Sequence, residues 1–177
     1  MRMKKLLSTI LCLLVLSPAL TRAETITHEF GTGFTFSNSN KTATKDGFAY
    51  SCGSSTAVFG LDLINPAGTK VIALNMPDGS SAATTSTAIE NLTRVMISHY
   101  PASKCENLKV FISTDGSSWG SALSGDAIEY GNSGIIYAFL PKGNYYLKFA
   151  NTTSTAVSII QVEYTTEPCV CLKVVSE

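Results

Sequence analysis

From Thr25 onward the apolar residues of this chain alternate with polar ones at period two, in short runs closed off by Gly, Asn, Asp, Ser or Pro. Successive side chains of such a run point to opposite faces, so the pattern calls for strands with one buried and one solvated side. The runs fall at 25–30, 33–37, 47–52, 57–63, 70–75, 92–100, 107–113, 126–130, 134–140, 144–150 and 156–165, and helical spacing is nearly absent between them. In 107–113, Leu108, Val110 and Ile112 share a face opposite Lys109; Val95 and Ile97 oppose Arg94, and Tyr145, Leu147 and Phe149 oppose Lys148. In the last run Ile160, Val162 and Tyr164 oppose Gln161 and Glu163. One-sided strands of this kind predict an all-β fold, a two-sheet antiparallel β-sandwich of jelly-roll type. The stretch 75–91, rich in Ser, Thr and Ala, reads as a long loop or a weak edge strand joining two halves of one domain. The apolar run at 171–175 is a last strand or the start of something beyond this chain.

Ahead of the alternating part lie Arg2, Lys4 and Lys5, an apolar stretch from Leu6 to about Leu20, and the small residues Thr21 and Ala23. This is the layout of a secretory signal peptide cut after Ala23, leaving 24–177 as a single exported domain, periplasmic or at the cell surface. Ser8, Ser17 and Pro18 interrupt the apolar stretch, which falls short of a transmembrane span, and no such span follows it. Four of the 13 basic residues leave with the leader while all 13 acidic residues stay, so the exported part is net negative. Its lysines and Arg94 are scattered singly, with no basic stripe for nucleic acid.

Cys52, Cys105, Cys169 and Cys171 remain after the leader, an even count that suggests disulfides in an exported protein. A bridge between Cys169 and Cys171 is strained by their closeness, which favours the two pairings that tie the tail back to Cys52 and Cys105. No second thiolate pair at zinc-ligand spacing accompanies "CVC", and His28 and His99 are distant in sequence.

The segment "STDGSSW", 113–119, follows an alternating strand and raises the question of turn or site. Asp115 and Gly116 are turn residues, the first able to bond nearby backbone and the second to accept positive φ. Trp119, the single tryptophan, then begins the returning arm of a hairpin. "VFISTDGSSW", preceded by "ENLTRVMISHYPASKCENLK", resembles the middle of discoidin-type, galactose-binding-like jelly-roll modules. It is more similar still to β-sandwich modules on surface proteins of polysaccharide-degrading Gram-negative anaerobes, where "KGNYYLKFANTTSTAVSIIQVEYT" also has counterparts. The similarity runs from about Glu90 to Thr165. It implies a sandwich that binds glycans or other surface ligands through loops at one end, with the hairpin tryptophan structural. It also implies a structural calcium, for which Asp62 and Asp46 are the nearest acids.

No nucleophile elbow is present and the two histidines lie on strands, so the sequence reads as non-catalytic. Sugar recognition by a sandwich needs exposed rings with polar neighbours. The second half of the chain supplies Tyr100, Trp119, Tyr130, Tyr137, Tyr145 and Tyr146, interleaved with Asn107, Asp115, Asn132 and Asn144. The expected ligand residues are Trp119, Asp115, Tyr145, Tyr146, Tyr100 and Asn144, with a glycan as partner; alternation sends one of Tyr145 and Tyr146 outward, where it would stand beside Trp119. The competing reading is a structural or adhesive surface module that contacts another surface protein and has no sugar site.

Overall fold

The computed structural model describes residues 23–37, 39–52, 58–61, 70–74, 82–153 and 155–167. Residues 1–22, on which the expected leader falls, Asp62, Cys169, Cys171, the apolar run at 171–175 and the side chain of Cys105 lie outside the described residues. Twelve strands are described, with two 3-10 turns: β1 (Glu24–Glu29), β2 (Thr35–Ser37), β3 (Thr42–Lys45), β4 (Phe48–Cys52), β5 (Val58–Leu61), β6 (Lys70–Leu74), β7 (Ala82–Thr85), β8 (Ile89–Tyr100), β9 (Leu108–Ser113), β10 (Ile128–Gly131), β11 (Ile135–Asn151) and β12 (Val157–Thr166). The fold is the expected all-β sandwich. Sheet A runs β5-β6-β12-β8-β11-β10, with β1 beside β6 on the same edge of β12, and sheet B runs β2-β3-β4-β7-β11-β9; every pairing is antiparallel.

One strand belongs to both sheets. The sequence runs 134–140 and 144–150 are not two strands but the two ends of β11, which pairs with β8 from Ile135 to Tyr145, with β9 from Tyr146 onward and with β7 from Lys148 onward. Between them the register slips twice, around Gly143, next to "PKG". Proline cannot donate to a ladder and glycine packs no side chain, so this is where an otherwise regular strand can bend from one layer into the next. Gly143 is required for a second reason: a Cβ there would stand 2.7 Å from the Tyr145 ring, which folds back over it.

The core lies between the two layers. Sheet A contributes Val95, Ile97, Leu92, Ile136, Ala138, Ile159, Val162 and Tyr164; sheet B contributes Ala43, Tyr50, Ala83, Leu108, Val110, Leu147 and Phe149. Leu108 and Val110 are fully buried, and Ile112 packs partly buried against the same cluster. Two local expectations need correction. In β12 a register shift between Ile159 and Gln161 makes Ile160 the extra residue of a bulge, so Ile159 is buried and Ile160 only partly so. The stretch 75–91 contains β7, which is neither loop nor edge but an interior strand between β4 and β11. Its alanines and Thr85 are buried because the neighbouring Tyr50 and Phe149 fill the layer.

Cys52 is a buried free thiol, its pKa pushed up to about 12 by burial, with Lys41 opposing weakly. Asp46 occupies, with Gly47, a two-residue turn between β3 and β4; both have positive φ (50° and 82°), the geometry of a type I′ hairpin.

Candidate functional site

The segment 113–119 is built by its own side chains. The Ser113 hydroxyl donates to Asp115 Oδ1 (2.8 Å) and accepts from the backbone N–H groups of Asp115 (3.3 Å) and Gly116 (3.0 Å). Asp115 Oδ1 accepts from the N–H groups of Ser117 (2.8 Å) and Ser118 (2.7 Å). These donors, the backbone of Ser118 and Ser117 first, hold the Asp115 carboxyl well below the usual carboxylate range although it is exposed. The returning arm forms no strand of its own; it runs back beside β9 through a bond from Leu123 N–H to Val110 O (2.8 Å).

Around this turn lies the outer face of sheet B. Register pairing sets Tyr146 opposite Ser113 and Lys148 opposite Phe111. The ammonium of Lys148 stands 4.4 Å from the Phe111 ring centroid and 5.0 Å from that of Trp119, a cation held between two aromatic faces. Gly116 sits against the Tyr146 ring, where a Cβ would approach to 3.1 Å. Tyr146 is therefore the outward member of the tyrosine pair and Tyr145 packs partly against the core, but the turn covers one side of the Tyr146 ring.

The other expected residues have different positions. Asn144 Oδ1 accepts from the N–H of Asn91 (3.0 Å), which is fixed at φ 52°, so its side chain ties β11 to the start of β8. Tyr100 is exposed at the opposite end of β8, about 35 Å of strand from Ile89, the partner of Tyr145. The structure thus gathers Asp115, Trp119 and Tyr146 at one corner, sets Asn144 and Tyr145 near it in packing roles, and leaves Tyr100 remote. His28 is enclosed by Phe34, Phe48, Tyr50 and Tyr164 and shares a hydrogen bond through Nδ1 with the Tyr50 hydroxyl (2.6 Å), which in turn meets that of Tyr164 (2.5 Å). Burial first, then Lys45, lowers its pKa from 6.5 to about 4, against a weak opposing pull from Asp46. His99 is buried in β8 with both ring nitrogens unpartnered among the described residues, and burial lowers its pKa as well. Among the described residues no group of three or more His, Cys, Asp or Glu is placed to hold a metal ion.

The outer face of sheet A carries a feature outside the expected set. Tyr137 and Phe139, two positions apart on β11, have ring centroids 6.5 Å apart and planes only 22° from parallel, and Phe139 is 42% exposed. Across the sheet, Tyr137 lines up with Glu129 on β10, Met96 on β8 and Glu163 on β12, while Phe139 lines up with Arg94 and Thr165. Arg94 and Glu163 form an ion pair at 3.5 Å. In the sequence "GIIYAFL" both parities are apolar: Ile136, Ala138 and Leu140 fill the core, while Ile135, Tyr137 and Phe139 lie on the other side. An antiparallel strand whose second face is aromatic where a solvated one is expected is the signal that could have marked this site.

No protein-family model and no curated protein matches the chain, so the discoidin-type resemblance gains no family assignment. A solved structure described by the words "The complexity of the Ruminococcus flavefaciens cellulosome reflects an expansion in glycan recognition" aligns at 14% identity and a TM-score of 0.42, covering 84% of this chain and 99% of that chain. At that level of overlap the function has to be argued from geometry.

Proposed function

We propose that this chain is a non-catalytic carbohydrate-binding β-sandwich module of the cell surface or periplasm, and that the outer face of sheet A is its glycan platform. The observation that carries this reading is the near-parallel pair of half-buried Tyr137 and exposed Phe139 on a hydrogen-bonded sheet. Pyranose rings expose faces of C–H groups that stack on aromatic rings, while their equatorial hydroxyls need donors and acceptors at the margin. Arg94, Glu163 and Glu129 flank the rings and supply both kinds. Sheet backbone holds the pair in place before any ligand arrives, which keeps the entropy cost of binding low. Trp119 with Lys148 is a second aromatic site, narrower because the ammonium already lies over the ring.

Affinity electrophoresis through gels containing soluble plant and host polysaccharides tests this. Retardation of the parent protein should fall about tenfold in apparent affinity in each of Tyr137→Ala and Phe139→Ala, the scale of one stacked aromatic contact. Trp119→Ala should retain it. The opposite pattern, loss in Trp119→Ala with the sheet A variants unaffected, moves the site to the "STDGSSW" corner. Absence of retardation in every polysaccharide overturns the reading in favour of a structural or adhesive module.

A further inference from the structure

Across the outer face of sheet A, β11, β8 and β12 set Phe139, Arg94 and Thr165 in one row, with Tyr137, Met96 and Glu163 in the row beside it. Residues directly opposed in this way have Cβ atoms about 5 Å apart. In the first row two polar atoms are buried without a hydrogen-bond partner: Arg94 Nε, a donor, and Thr165 Oγ1, an acceptor as well as a donor. Four such side-chain atoms occur among the described residues, and the other two belong to the ring of His99. Outside that ring, then, every unsatisfied atom falls at one cross-strand pair, next to the exposed Phe139.

Groups of this kind cost stability, and native structures satisfy nearly all of them. The core does not impose the cost here, because both residues lie on the outer face and the Arg94 side chain is 41% exposed. Rotation of these partly exposed side chains brings both atoms to the surface. A sugar hydroxyl accepts and donates at once, so one hydroxyl at the edge of a pyranose stacked on Phe139 completes the pair, accepting from Nε–H and donating to Oγ1.

Charge decides which sugars fit. Tyr137 lies between Glu129 on one side and Met96, with Glu163 beyond it, on the other. The charge of Arg94 is met by Glu163 at 3.5 Å, and Lys142, at the bend past Phe139, has a partner of its own. The α-ammonium that cleavage after Ala23 leaves on Glu24 stands beside that residue's own carboxylate and adds no net charge. A carboxylated sugar on Tyr137 would therefore sit between two glutamates, a like-charge placement that costs affinity.

Building on the glycan reading of this face, we infer that the platform selects neutral sugars over uronates, and that Arg94 Nε–H and Thr165 Oγ1 read one hydroxyl of the unit stacked on Phe139.

Affinity electrophoresis at low salt, in gels of galactomannan, xyloglucan or hydroxyethylcellulose against gels of polygalacturonate, tests both parts. The parent should be retarded in at least one neutral gel, with an apparent affinity for polygalacturonate about tenfold weaker or less. Thr165→Val keeps the side-chain shape and removes the hydroxyl, and it should weaken retardation in that neutral gel about fivefold; Arg94→Lys, which keeps the charge and removes Nε–H, should do the same. Thr165→Val should also melt no lower than the parent, because it deletes an unsatisfied group, whereas a threonine with a merely structural role would lose stability and leave affinity alone. Retardation that falls in Tyr137→Ala but equals the parent's in both Thr165→Val and Arg94→Lys overturns this inference and leaves the glycan reading standing. So does polygalacturonate retardation as strong as the neutral one and lost in Tyr137→Ala. Absence of retardation in every gel overturns the glycan reading and this inference with it.

Discussion

At the scale of single residues, histidine and glycine show how little of a side chain's role lies in its type. His28 is held neutral by its aromatic enclosure. Between pH 6.5 and about 4 the unfolded chain takes up a proton at this position that the folded chain refuses, so its contribution to stability is complete above pH 6.5 and declines as pH falls toward 4. An imidazole titration followed by NMR should give a midpoint near 4, and His28→Gln should flatten part of the acid-side fall in melting temperature, with His99 responsible for a further part. Gly116 and Gly47 both have positive φ, 73° and 82°, but a Cβ at Gly47 meets nothing while one at Gly116 meets the Tyr146 ring at 3.1 Å. Chemical denaturation of Gly47→Ala should show a loss of about 1 kcal/mol from backbone strain alone, and Gly116→Ala should lose clearly more. The turn character of "STDGSSW" was legible because Ser, Asp and Gly act on their own backbone; the cover that Gly116 gives Tyr146 was not, because it depends on a strand about thirty positions away.

At the scale of elements, alternation is reliable until a strand is interrupted or its residues are all small. In β12 it assigns Ile160 to the core, whereas the bulge turns Ile159 inward. Ile159→Ala should therefore cost about 2–5 kcal/mol and Ile160→Ala about 1 kcal/mol or less, an order measurable by urea unfolding and reversed if the strand is regular. β7 was illegible for a different cause: Ala, Ala, Thr, Thr carries no contrast between faces, yet Ala83 is fully buried between β4 and β11. Ala83→Leu should overpack the layer and cost about 1–3 kcal/mol, with a fall in melting temperature as the measure. The aromatic outer face of β11 belongs to this scale too, since Tyr137 and Phe139 become a surface only once Ile136 and Ala138 have taken the inner side.

At the scale of the whole molecule, β11 is the strand on which the layers depend. It pairs with β8 and β10 in sheet A and with β7 and β9 in sheet B, so neither sheet can open without disturbing it. Hydrogen exchange should find the slowest amides in β8, the two paired arms of β11 and the adjoining half of β12, with the edge strands β2 and β10 exchanging first; uniform protection across both sheets would contradict this. The amino-acid sequence by itself determined the strand class, the sidedness of Leu108, Val110, Val95, Ile97, Leu147 and Phe149, and the turn at Asp115, because period-two burial and local side-chain-to-backbone bonding act over neighbouring residues. Tertiary structure alone decided that two predicted strands are one, that Tyr100 and Trp119 lie far apart, and that Phe139, Arg94 and Thr165 share one row. Those outcomes follow from which distant strands pair and in which register, and a period of two is the same for every pairing.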